Sequence, residues 1–121
     1  MTQKILIVED NDNNLYLMEF LLHGAGIATC KARNGRQAVE MSKTEQPTLI
    51  LMDIQMPEMD GIEATRLIKA DSLTKDIPII GVSSFASSES RREAMESGMM
   101  DYIPKPILPA EFLPLIKAYL G

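Results

Sequence analysis

Thr48-Leu-Ile-Leu-Met-Asp-Ile-Gln-Met-Pro-Glu-Met-Asp-Gly61 is the stretch on which the fold turns. Its apolar residues, Leu49 to Met52, are continuous rather than alternating. A strand of that kind is buried on both faces, which means a parallel sheet covered by helices. The run stops on an acid, Asp53. Pro57 and the pair Asp60-Gly61 then supply turn residues, and a helical pattern continues to about Ala70. One unit therefore reads as strand, acid, loop and helix.

The same order repeats on either side. Short apolar runs lie at Ile5–Val8, Ile27–Lys31, Thr48–Met52 and Ile77–Val82, with a weak fifth at Tyr102-Ile103. Helical patterns follow them. The first runs from about Asn13 to His23 and is expected to end on Gly24 as a left-handed cap. The second spans Gly35 to Glu45, before Pro47. The fourth starts in Ser87-Ser88, good capping residues, and stops at Gly98. The last opens at Pro109, a residue suited to a first turn. Alternating strands and helices with short connections predict an α/β fold, a doubly wound five-stranded parallel sheet with five helices. Residues 1–121 are expected to form one domain with no linker, repeat or output domain.

Composition narrows the function. Of 121 residues, 45% are hydrophobic but only 5% aromatic, so the core is aliphatic. The formal net charge is −5 and no Lys/Arg cluster interrupts it, which argues against nucleic-acid binding. The single cysteine, Cys30, allows no internal disulfide and reads as a small apolar strand residue. No segment is long enough to span a bilayer, and Ile5–Val8 is too short for a signal-peptide core. A cytoplasmic setting is the expectation.

The chemistry gathers at the strand ends. The first strand runs into Glu9-Asp10-Asn11, the third into Asp53, the fourth into Ser83, and the fifth is followed by Lys105. Open parallel sheets bind ligands beyond the carboxyl ends of their strands, where strand order reverses. Taken singly, Asp10 reads as a helix cap, Asp53 as a turn residue, Ser83 as one serine of a serine-rich loop, and Lys105 as a surface charge. Their joint placement is harder to read that way. Clustered carboxylates repel one another unless a cation lies between them. Oxygen ligands without His or Cys select a hard cation such as Mg²⁺. His23, the one histidine, lies in a helical pattern, so zinc is not supported. A carboxylate beside Mg²⁺ can attack a phosphoryl group, and a lysine can neutralise the transferring charge.

Glu9-Asp10-Asn11, Asp53 through Gly61, Ser83-Ser84 and Pro104-Lys105-Pro106 together resemble the signature of response regulator receiver domains, the CheY-like superfamily, over the whole chain. The stand-alone members of that family are the nearest in kind. CheY itself has strand order 2-1-3-4-5, which would put Asp10 beside Asp53. The resemblance implies a two-component switch phosphorylated on Asp53 by a histidine kinase or a histidine phosphotransfer protein. It implies Mg²⁺ held by Asp10, Asp53 and the backbone carbonyl of Gln55, with Glu9 acting through water. Lys105 would contact the phosphoryl oxygens beside a cis Lys105–Pro106 bond. Ser83 and Tyr102 would be the switch residues, although Tyr102 alone reads as a strand residue at the sheet edge. Gln55 and Phe85 stand where members of the family tune dephosphorylation. Enzymatic activity is not expected beyond self-phosphorylation from phosphodonors and autodephosphorylation.

Two partner surfaces follow. On the first helix, Leu15, Met18 and Leu22 suit the core. Leu17, Leu21 and Asn14 form a second stripe that either packs beneath a loop or docks a partner. The resemblance places the phosphodonor at Asn14 and Leu17 and near Pro106. The second surface includes Met95 and Tyr102, with Met99 and Met100 expected as core filling. A monomer is expected, though nothing in the residues separates it from a dimer. A receiver excised from a hybrid kinase and a phosphorylation-independent binding module are the alternative readings. A turnover phosphatase is disfavoured, because Gln55 stands where a second acid is needed.

Overall fold

A computed structural model of the chain describes residues 3–56, 59–84 and 87–120. Phe85 and the Pro57-Glu58 part of the loop after Asp53 lie outside the described residues. Strands β1 (Lys4–Val8), β2 (Ala28–Ala32), β3 (Leu49–Asp53), β4 (Ile79–Ser83) and β5 (Asp101–Pro104) form one parallel sheet ordered β2-β1-β3-β4-β5. Helices α1 (Asp12–Gly24), α2 (Gly35–Glu45), α3 (Gly61–Ala70), α4 (Ser88–Ser97) and α5 (Pro109–Leu120) connect and cover it.

The unbroken apolar runs became the inner strands, as two-sided burial requires. Every residue of β3 and β4 is buried. Side chains pointing alternately up and down divide the core into two clusters. Leu6, Val8, Ile50 and Met52 face one side with Ile62, Ile68 and Met99. Ile5, Ile7, Leu49 and Leu51 face the other with Leu15, Met18, Leu22, Phe112 and Ile116. Among the described residues the two clusters share no member.

Four helices begin on side chains that accept an orphan backbone N–H: Asn11 from Asn14, Asn34 from Gln37, Asp60 from Glu63 and Ser87 from Ser90. The first cap settles one expectation, since Asn11 rather than Asp10 holds it. The end of α1 also differs from the reading above. The helix runs through Gly24, Ala25 caps it, and the left-handed residue is Gly26 at φ +77. The N–H groups of Gly26 and Ile27 donate to the carbonyls of His23 and Leu22, which closes the last turn one residue later. Helix α4 does end on a left-handed glycine, Gly98 at φ +118. Helix α2 ends on left-handed Gln46, whose amide donates to the carbonyls of Ser42, Lys43 and Leu73. Pro114 lies inside α5 on its exposed side and removes the hydrogen bond to the carbonyl four residues back.

Three strands are displaced from the expected runs, and β3 takes in Asp53 while leaving out Thr48. Strand β4 starts after Pro78, which has no N–H to pair, so Ile77 stays outside it. Strand β2 begins at Ala28, and Ile27 packs instead against the cluster under α1.

Candidate functional site

Strands β1 and β3 are neighbours, with Val8 opposite Met52. Glu9 and Asp10 therefore leave the sheet beside Asp53. One carboxylate oxygen each from Glu9, Asp10 and Asp53 lies within a common 4.8 Å. Glu9 and Asp53 are buried, at 0% and 1% exposure, whereas Asp10 faces solvent. Strand β4 continues the edge with buried Ser83. The N–H of Lys105 donates to the Ser83 carbonyl at 2.8 Å, which ties the loop after β5 to the end of β4. The Lys105–Pro106 peptide is cis.

Lys105 closes the group. Its Nζ lies 3.0 Å from Glu9 Oε1 and 3.2 Å from Asp53 Oδ1. Glu9 Oε2 accepts the N–H groups of Asp10 and Asn11 at 3.1 and 3.3 Å. Asp53 Oδ1 also accepts the Gln55 N–H at 3.2 Å. The other oxygen, Asp53 Oδ2, is buried and has no hydrogen-bond donor among the described residues. Two buried carboxylates beside one ammonium leave a net negative charge that burial makes costly.

The acidities reflect that conflict. Burial, then the hydrogen bond and the charge of Glu9, push Asp53 up to about 8, against the pull of Lys105. Burial would raise Glu9 too, but its bonds to Asp53, Lys105 and the Asn11 N–H outweigh it and hold Glu9 low. Lys105 is raised, because the hydrogen bond and charges of Glu9 and Asp53 overcome its burial. The two carboxyls shift in opposite directions, Asp53 upward and Glu9 downward, as two buried acids beside a single lysine do.

A hard cation fits this arrangement. Three carboxylates converge without His or Cys, and a buried oxygen of Asp53 lacks a donor. His23 is remote in its bonding, with Nε2 2.8 Å from Thr29 Oγ1.

The structure adds residues that sequence reading missed. Arg33 pairs with Asp12 at 2.6 Å and donates to the Asp10 carbonyl at 3.3 Å, so it pins the loop that carries Asp10. Only the adjacency of β2 and β1 brings it there. The side chain of Gln55 reaches Ser83 and Ser84.

The residues of the expected partner surfaces differ in exposure. Asn14 and Leu17 are half-buried, and Leu17 and Leu21 pack against the core under α1. The exposed apolar pair on that helix is Tyr16 and Phe20, at 69% and 62% exposure, with ring centroids 6.2 Å apart. Their i, i+4 spacing was the overlooked signal. Pro106 and Met95 are exposed. Tyr102 is not: it packs into the cluster with Ile54 and Met99, and the Arg91 guanidinium lies 5.9 Å from its ring centroid. A ring packed inward offers a partner little area. Met99 is buried as expected, but Met100 is exposed beyond the end of α4.

Comparison with known proteins agrees with the geometry. Residues 5–117 match the family described as response regulator receiver domain. The chain is 40% identical over 121 residues to the polar-differentiation response regulator DivK of Brucella ovis, covering all of this chain and 98% of that protein. The receiver domain of a sensor histidine kinase from Pseudomonas aeruginosa PAO1 superposes with a TM-score of 0.92 at 34% identity. That match covers 100% of this chain and 99% of the other, and its crystal structure has a magnesium ion coordinated in the active-site cleft. The Vibrio cholerae chemotaxis protein CheY4 superposes with a TM-score of 0.92 at 25% identity, over 98% and 99% of the two chains.

Proposed function

Since this chain belongs to the response regulator receiver domain family, we propose that residues 1–121 act as a phosphorylation-dependent switch whose phosphoacceptor is Asp53. The carrying observation is Asp53 itself: buried, 3.2 Å from a lysine ammonium, with Oδ2 lacking a donor. Asp53 ends β3, where the carboxylates of Glu9 and Asp10 converge with its own.

In the proposed step, an Asp53 carboxylate oxygen attacks phosphorus of a phosphohistidine on a kinase or phosphotransfer protein. The O–P bond forms as the P–N bond breaks, and the imidazole nitrogen leaves with the electron pair. Lys105 neutralises phosphoryl charge, and the Ser83 hydroxyl hydrogen-bonds a phosphoryl oxygen afterwards. Asp10, Asp53 and the Gln55 carbonyl would hold Mg²⁺, with Glu9 acting through water. When bound, that ion offsets the negative charge of the carboxylates and the incoming phosphoryl group. The phosphoryl group brings roughly −1.5 to −2 charges, enough to bias a loop with two nearly balanced states. Tyr102, held inward beside Arg91, would report the change to α4. The chemistry is limited to the protein's own phosphorylation and dephosphorylation.

The direct test is intact mass after incubation with acetyl phosphate, with and without Mg²⁺, beside Asp53→Ala. One phosphoryl group that needs both Mg²⁺ and Asp53 is the expected result. Addition to Asp53→Ala, or a wild-type protein that neither gains mass nor binds beryllofluoride, overturns the reading.

For the phosphodonor, the Tyr16–Phe20 face replaces Leu17 as the place to probe, because Leu17 also supports the core. Phe20→Ala is expected to slow transfer from the cognate donor about tenfold, the loss typical of an aromatic anchor. Phosphorylation by acetyl phosphate stays unchanged. An equal loss with both donors would mean damage to the site rather than to docking.

A further inference from the structure

The three carboxylates at the carboxyl edge of the sheet are not held alike. Lys105 holds Glu9 and Asp53, and both also accept backbone N–H groups. Asp10 is exposed, and its place is set through its main chain. Its N–H donates to Glu9 Oε2 at 3.1 Å, and its carbonyl accepts from Arg33 Nη2 at 3.3 Å. The same Arg33 nitrogen lies 2.6 Å from Asp12 Oδ1. Arg33 therefore grips two points on the turn from β1 into α1. Its own backbone is fixed as well. The Glu9 N–H donates to the Ala32 carbonyl at 3.0 Å, so β1 and β2 end together, and the Arg33 N–H donates to Gln37 Oε1 at 2.7 Å.

Resting on the reading of this cluster as a Mg²⁺ site, we infer that Arg33 is a positioning residue: by clasping the Asp10 carbonyl it holds the Asp10 carboxylate in place for the cation. Its charge alone would act the other way, since a guanidinium repels a divalent ion. Asp12 offsets that charge and leaves the hydrogen bond to act. Groups that orient a metal ligand from behind commonly contribute about ten- to a hundredfold to affinity. The Arg33 and Asp12 side chains are 45% and 82% exposed, so their contribution belongs at or below the low end of that range.

The test is Mg²⁺ affinity, measured by calorimetry on the full chain with no phosphodonor present. The variants are Arg33→Met, Asp12→Asn and the two together. The double variant removes one positive and one negative charge, so the net charge is kept and only the clasp is lost. It is expected to bind Mg²⁺ about three- to tenfold more weakly than wild type. Arg33→Met alone should lose less, because the uncovered Asp12 carboxylate attracts the cation. The deficit of the double variant should persist at about 1 M salt, where the screening length is about 3 Å. The thermal midpoint of the cation-free protein should stay close to that of wild type, because the pair is exposed. A double variant with wild-type affinity, a deficit that salt removes, or a midpoint that falls along with the affinity overturns the inference. Wild-type protein that binds no Mg²⁺ instead overturns the metal-site reading beneath it, so the two failures are distinguishable.

Discussion

The affinity of the Glu9–Asp10–Asp53 cluster for Mg²⁺ is expected to rise about tenfold per pH unit between about pH 6 and pH 8, then level off. Burial and Glu9 push Asp53 up to about 8, so below that pH a cation is expected to compete with a proton on Asp53. Calorimetry in two buffers of different ionisation enthalpy counts the protons. Close to one should be released per Mg²⁺ at pH 7, and a count of zero would exclude a raised pKa at Asp53. Stability without divalent cations follows the same linkage. Between the ordinary carboxylate range and about pH 8, the folded protein keeps a proton that the unfolded chain gives up. The contribution of Asp53 is therefore full at low pH and lost as pH rises toward 8. Glu9 runs the other way. Its pKa is lowered, so its contribution is present above its ordinary value and lost on acidification. Asp53→Asn removes the decline toward pH 8. It should stabilise the cation-free protein there by on the order of 2 kcal/mol, while abolishing the stabilisation that Mg²⁺ gives the parent.

Gly61→Ala is expected to destabilise the fold by about 2–3 kcal/mol and lower the thermal midpoint by roughly 10 °C. Gly61 opens α3, and its N–H donates to the Ile54 carbonyl at 3.1 Å. A Cβ there would overlap the Asp53 carbonyl oxygen and come within 2.9 Å of Met52 Cγ. Helix propensity alone favours alanine by about 1 kcal/mol, so the sign of the result tells which effect wins. A higher midpoint would mean that the loop after Asp53 yields freely. Because the overlap falls on the backbone of Asp53, phosphorylation by acetyl phosphate should fall as well.

Much of this was legible in the residues. Unbroken runs such as Ile5–Val8 and Leu49–Met52 announced inner parallel strands, because two-sided burial leaves a one-dimensional signature. The acids, hydroxyl and lysine at strand ends were legible for the same reason: strand order carries them to one edge. What escaped was set by three-dimensional packing. Gly24 looked like a helix stop, but the turn closes better on Gly26 once Ile27 bonds back to Leu22. Tyr102 looked available at a sheet edge, yet Arg91 and the α4 layer enclose it. For Leu17 and Leu21 both packing and docking stayed open, because apolarity alone does not show which stripe of α1 its neighbours cover; both pack against the core. The bond from Gln55 to Ser83 spans 28 positions in the chain, a separation at which no local pattern exists.

The separation of the core into two clusters with no common member has an evolutionary consequence. Leu15, Met18 and Leu22 of α1 belong to one cluster, and Tyr102 beside Arg91 belongs to the other. The two helical layers can accumulate changes on separate schedules. If the proposed phosphodonor docks on Tyr16 and Phe20 and an effector reads the Tyr102 side, a lineage could exchange either partner without repacking the sheet between them.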